Sequence, residues 1–219
     1  MSDVFGWSVR EFLERAGSGT PTPGGGCVAA LAGALAVAMV TMVANLTLGR
    51  EKYRDVEPVV RSVLHQAGGL AREFEALAGD DIAAFDRVMA AYRLPQDSVQ
   101  QREARKNAVQ AALRQATEVP LETARAGLAA LHQVERLTEV GNRLVLSDAG
   151  VAGYLAQAAV KSALVHVGVN ARLLQDRDYI ERVLKEKERL ETEAAAVTAR
   201  VEHIMAMRLG LGPGKEERP

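Results

Sequence analysis

The chain has 219 residues, 48% of them hydrophobic and 25% charged, a balance that supports one globular domain with a sizeable core. Twenty-seven Lys and Arg against 28 Asp and Glu leave a formal net charge of -1, so there is no broad positive field for nucleic acid or an anionic membrane, and a small molecule or a protein is the expected partner. A single cysteine, Cys27, excludes an intrachain disulfide and argues against a Cys-based zinc site; with no signal peptide legible in MSDVFGWSVREF, a reducing cytoplasm is the expected location.

Apolar residues return at three- and four-residue spacing throughout, among Ala, Leu, Glu, Arg and Gln, and no strand-like alternation recurs, so the expected fold class is all-α, a helical bundle. Ser8 and Glu11 have capping-box spacing and start a first helix that runs to Gly17. The loop at 17–25 leads into a second helix at 25–48, and Asp55 opens a third, with Pro58 in its first turn where the missing N–H costs little. That helix extends to Arg93, bent near Gly68, Gly69 and Gly79. Leu94 and Pro95 break the chain, Ser98 and Gln101 repeat the capping box for a fourth helix, and Pro120 marks a joint into a fifth that ends at Gly141. GNRLVLSDAG at 141–150 reads as a loop into a sixth helix, 149–170, capped by Ser147 or Asp148. A charged seventh helix, 178–209, completes one domain at 1–209, and the polar remainder at 210–219 is expected to fray.

The second helix carries no charge between Gly24 and Gly49, a span of about 37 Å that is long enough for a bilayer. Its Ala-rich composition, its Thr41, Asn45 and Thr47 and its lack of flanking aromatics favour a buried core helix over a membrane span. The sixth helix is similar, with Lys161 as its lone charge. Two helices that are apolar all round imply a thick core or a homodimer, and a homodimer is expected.

Polar groups in apolar surroundings are the candidate chemistry. Leu77, Asp81, Phe85, Val88 and Tyr92 share one helical face, so the Asp81 carboxylate falls within an apolar stripe and needs a partner, a raised pKa or a cationic ligand, unless the turn at Gly79 swings it into solvent. Ser162, His166 and Asn170 form a polar line on the sixth helix, either a wet face or the wall of a site. Asn45 could bind a ligand or satisfy a buried backbone group. TPTPGGGC, with Gly24, Gly25 and Gly26 at a helix N-terminus, leaves N–H donors open to a carboxylate, a phosphate or a polarised carbonyl, though it has neither Walker-loop nor dinucleotide-fold context. Ser147 and Asp148 offer an acidic group beside free N–H donors. The four histidines show no metal-ligand spacing, and no metal is expected.

TPTPGGGCVAALAGALAVAMVTMVANLTLGREKY at 20–53, DDIAAFDRVMAAYRLP at 80–95, EVPLETA at 118–124 and GNRLVLSDAGVAGYLAQAA at 141–159 together resemble the formiminotetrahydrofolate cyclodeaminase and methenyltetrahydrofolate cyclohydrolase family, in order and spacing as well as in wording. The resemblance implies an all-helical homodimer that binds a tetrahydrofolate derivative in a cleft near the subunit contact. It implies hydrolysis of 5,10-methenyltetrahydrofolate or cyclodeamination of formiminotetrahydrofolate, with a folate-binding protein that has lost the chemistry as the alternative. The absence of a formimino-transferring partner domain tilts the expectation to the cyclohydrolase. Asp81 is the expected proton-handling or cation-stabilising group and Asp148 its competitor. Gly24, Gly25, Gly26, Asn45, Lys52, Ser147, His166 and Asn170 are the expected ligand-binding residues. Cys27 and His166 depart from the family's usual serine and asparagine.

Overall fold

A computed structural model describes residues 4–210, and among these the chain is helical without a strand. Helix α1 is Val9–Ala16, α2 Gly25–Asn45, α3 Glu57–Tyr92, α4 Val99–Val140, α5 Leu146–Ala171 and α6 Arg177–Leu209, with short 3-10 turns at Val4–Gly6, Glu51–Val56 and Arg143–Val145. Of the tail expected at 210–219, Gly210 is the left-handed cap of α6 and the rest, 211–219, lies outside the described residues.

The caps form as the sequence predicts. Ser8 Oγ accepts from Glu11 N–H at 3.1 Å, and both bonds of the Ser98–Gln101 box are made. Several boundaries differ from expectation: α2 ends at Asn45 and not at 48, and α3 begins at Glu57, after the Glu51–Val56 turn, and not at Asp55. The predicted fourth and fifth helices are one helix of 42 residues that continues through Pro120. A proline inside a helix leaves the carbonyl four residues back without its N–H partner, and here the Asn170 side chain donates to that carbonyl, Ala116 O, at 2.7 Å. Helix α5 starts at Leu146, so Ser147 and Asp148 occupy its first turn instead of capping it. Helix α6 starts one residue early because Asp176 accepts from Tyr179 N–H at 3.0 Å. Helix α3 runs unbroken through Gly68, Gly69 and Gly79, since its buried face, from Val60 through Phe74 to Val88, holds it against the core.

Helices α2, α3, α4 and α5 form an antiparallel bundle in which each packs on the next and α5 closes against α2; α6 covers the α4–α5 side. Helix α2 is long and apolar enough to cross a membrane, and half of its most apolar stretch is buried inside the protein. Its small residues set the packing distance. A Cβ on Gly33 would collide with the ring of Phe74, so glycine lets α3 approach α2 at that point. Val37, Val40 and Val43 continue the buried face toward the other end of the bundle. There Thr47 and Asn142, both buried, join the two chain reversals. Asn142 N–H donates to Thr47 Oγ1 at 2.9 Å, its carboxamide donates to Leu46 O at 2.9 Å, and its Oδ1 accepts from Leu144 N–H at 3.1 Å.

Candidate active site

At the opposite end of the bundle, the N-terminus of α2, the C-terminal third of α3, the Leu113–Ala116 turn of α4 and the C-terminal turns of α5 line a partly open cavity of about 420 Å³. Its polar lining comes from Thr22, Asp81, His166 and Asn170, and its apolar wall from Phe85, Val88, Met89 and Leu113.

Asp81 reaches from α3 across the start of α2, where its Oδ2 accepts the Cys27 backbone N–H at 2.9 Å. The helix N-terminus, expected from sequence to attract a carboxylate, therefore holds the protein's own. Gly26 is required by that approach, because a Cβ there would overlap the Asp81 carboxylate. Burial pushes the Asp81 pKa above the usual carboxylate range, opposed by the charge of the neighbouring His166 and by the Cys27 N–H. The turn at Gly79 does not swing the carboxylate into solvent: α3 is regular there and Asp81 is half-buried in the cavity wall.

His166 comes from α5 and stands over Gly25, where a Cβ would lie 2.6 Å from its Nε2. The second glycine of the loop thus makes room for the imidazole as the third does for the carboxylate. Asn170, one turn further along α5, has its amide nitrogen bound to Ala116 O. The loop before Gly24 is braced by its own hydroxyls, with Thr20 Oγ1 donating to Thr22 O at 3.0 Å and sharing a 2.7 Å bond with Ser18 Oγ. Cys27 is fully buried behind the site, its thiol pushed up to about 11 by burial and by the adjacent Asp81 charge.

Of the residues singled out from sequence, Gly24, Gly25, Gly26, Asp81, His166 and Asn170 meet at this cavity. Asn45, Lys52, Ser147 and Asp148 do not; they lie at the other end of the α2–α5 pair. Asn45 and Ser147 are exposed, Asp148 is half-buried, and the Lys52 ammonium stands 5.7 Å from the ring centre of Tyr53. The apolar stripe of Phe85, Val88 and Tyr92, read from sequence as Asp81's surroundings, is one wall of the cavity. Leu113, Ala116 and Leu173 were not singled out, and no local signal marks them, because their presence depends on how α4 and α5 cross.

An enclosed carboxylate of raised proton affinity beside an imidazole can accept a proton from water or hold a cationic carbon. Among the described residues no group of three or more His, Cys, Asp and Glu is placed to hold a metal ion.

The sequence model of the Formiminotransferase-cyclodeaminase family matches residues 8–189. The chain is 43% identical over 194 residues to the methenyltetrahydrofolate cyclohydrolase of Methylorubrum extorquens, covering 89% of this chain and 93% of that protein. It is 31% identical over 182 residues to the formimidoyltransferase-cyclodeaminase of Rattus norvegicus, of whose length it spans 33%. The crystal structure of formiminotetrahydrofolate cyclodeaminase from Thermotoga maritima superposes with a TM-score of 0.85 at 31% identity, over 93% of this chain and 98% of that one.

Proposed function

Because the chain belongs to the formiminotransferase-cyclodeaminase family, we propose that it is a folate one-carbon enzyme that hydrolyses the bridge of 5,10-methenyltetrahydrofolate and, in reverse, closes it. The observation that carries this choice is the 43% identity extending over nearly the whole length of the Methylorubrum cyclohydrolase. The site supports the chemistry. The methenyl carbon is part of a cationic amidinium, and the Asp81 carboxylate in the cavity wall stabilises that charge and takes a proton from the attacking water as the C–O bond forms. Collapse of the tetrahedral carbon breaks one C–N bond, and the proton passes to the departing nitrogen. His166 lies close enough to modulate the carboxylate's charge and to carry a proton in turn.

Cyclodeamination of formiminotetrahydrofolate is the second reading, supported by the likeness to the Thermotoga enzyme. There N10, the amine outside the pteridine ring, attacks the formimino carbon and an acid protonates the departing nitrogen, which leaves as ammonia, so Asp81 would work in its protonated form. Near-ultraviolet absorbance of 5,10-methenyltetrahydrofolate separates the readings. Signal lost above the uncatalysed rate identifies the cyclohydrolase, and signal gained from formiminotetrahydrofolate with ammonia release identifies the cyclodeaminase. Folate binding without either change would leave a binding protein that lacks the chemistry.

The protein acts as a homodimer in this reading, and the support is an uncovered apolar face. Val28 and Leu35 of α2, with Val151, Tyr154, Val165 and Val169 of α5, are between 44% and 62% exposed along two neighbouring helices. Asn45 continues the α2 stripe and Ser147 the α5 stripe. A two-fold axis across the middle of this face lays each helix pair antiparallel to its copy, so the Asn45–Ser147 end of one protomer meets the cavity end of the other. Lys52, Ser147 and Asp148 then serve the partner's cavity. Mixing Asp81→Asn protein with Asp148→Asn protein tests this, since exchange of subunits restores one intact site in half of the dimers, about a quarter of full activity. Two inactive proteins that stay inactive after verified exchange would refute the shared site. The buried free thiol of Cys27 and the absence of a disulfide suit the cytoplasm, where this reading places the enzyme.

A further inference from the structure

Pro120 sits in the buried face of α4, one turn after Ala116, and its ring has no N–H to offer the Ala116 carbonyl. That carbonyl is taken by Asn170 of α5, whose Nδ2 donates to it at 2.7 Å. A carbonyl oxygen can only accept, so the bond fixes which end of the carboxamide is which: nitrogen to the helix, oxygen to the other side. Asn170 and Ala116 both line the cavity, and among the described residues Asn170 Oδ1 has no protein donor.

We propose that Pro120 is a positioning residue of the site: by leaving Ala116 O vacant it anchors the Asn170 amide and presents Oδ1 as a fixed acceptor for an N–H donor of the bound heterocycle. The ligand class this acceptor suits is an amino- or lactam-bearing bicyclic pyrimidine, so the proposal rests on the folate reading given above. With alanine at 120 the helix N–H returns and competes for Ala116 O along the helix axis, so the Asn170 amide is held less firmly and can rotate.

The test uses Pro120→Ala, Asn170→Ala and the double variant of the full chain, with thermal melts of the free protein and steady-state kinetics on 5,10-methenyltetrahydrofolate. Without ligand, Asn170→Ala should lower the melting temperature by stranding the Ala116 carbonyl. Pro120→Ala should then raise it by more in the Asn170→Ala background than in wild type. With substrate, Pro120→Ala should raise KM about three- to tenfold, the worth of one neutral hydrogen bond, with a smaller effect on kcat. It should add nothing to KM once Asn170 is alanine. A proline that merely shapes α4 predicts equal KM for Pro120→Ala and wild type, and that result overturns the proposal. If wild type turns over neither folate substrate, the functional reading fails by itself. The melts then decide the anchor: an enhanced rescue by Pro120→Ala supports it, and equal effects in both backgrounds overturn it.

Discussion

The two ends of the α2–α5 pair have similar ingredients and opposite characters. At the far end, the reversal after α2 carries Thr47 and the reversal before α5 carries Asn142. Asn142 N–H, Nδ2 and Oδ1 each have a backbone or side-chain partner, and Tyr53 OH adds an acceptor for Arg143 N–H at 3.1 Å. At the near end, Asp81 has one backbone donor, Asn170 has its nitrogen bound and its oxygen open, and both face a cavity of about 420 Å³ that opens to solvent. A buried polar cluster in which every group is paired locks a fold. One with an ionisable group left facing a cavity is built to act on something else.

The sharpest way to break that contrast is Asp81→Asn. Turnover of methenyltetrahydrofolate should fall by about 10²–10⁴, followed by absorbance, while the fold persists because the new amide oxygen still accepts the Cys27 N–H. The sign of the stability change follows from burial. The folded pKa of Asp81 is raised, so its ionisation works against the fold, a penalty absent below the ordinary carboxylate pKa and fully present once the pH passes the raised one. Asp81→Asn should therefore melt at or above wild type at neutral pH, and the gap should close in acid. In the hydrolytic reading, the wild-type rate should climb with pH through an apparent pKa above the usual carboxylate range. A flat pH–rate profile across that range would count against Asp81 as the base.

Gly26→Ala attacks the same end without changing a charge. Its methyl must displace the Asp81 carboxylate, and the expected result is lost turnover with a destabilisation of about 1–3 kcal/mol, read by kinetics and denaturant melts. Asn142→Ala attacks the far end. Alanine keeps the backbone N–H to Thr47 but loses the carboxamide bonds to Leu46 O and from Leu144 N–H, which should cost about 1–2 kcal/mol in a denaturant melt, while the folded fraction keeps kcat within about twofold. If Asn142→Ala instead reduced kcat like Asp81→Asn, the distinction between the two ends would collapse. The smallest effect is expected outside both. Gly68 lies within α3 with nothing near its Cβ position, so Gly68→Ala should stabilise by about 0.5–1 kcal/mol, visible as a rise in melting temperature.

This contrast also shows where sequence reasoning reached and where it stopped. The caps at Ser8 and Ser98, the all-helical class and the six residues that meet at the cavity were legible, because each depends on spacing within one element or on a family motif. What was not legible depends on contacts between elements. Pro120 reads as a joint until α5 supplies Asn170 to its vacant carbonyl. Of the two roles open to Asn45, satisfying a buried backbone group falls to Asn142, which with Thr47 forms the buried lock, while Asn45 is exposed at the end of α2. Asn142 lies within GNRLVLSDAG, where nothing local distinguishes a capping asparagine from one that bridges two reversals. Lys52, Ser147 and Asp148 share a chain with the cavity but not an end of it, which a linear pattern has no means to express.

Cys27 gives the protein a built-in reporter. It is the chain's one thiol, wholly enclosed, with its proton held to about 11, and its own backbone N–H is the donor that grips Asp81. An alkylating reagent at neutral pH can reach it only when the first turn of α2 lifts away from α3, so the rate of labelling counts how often this corner of the molecule opens.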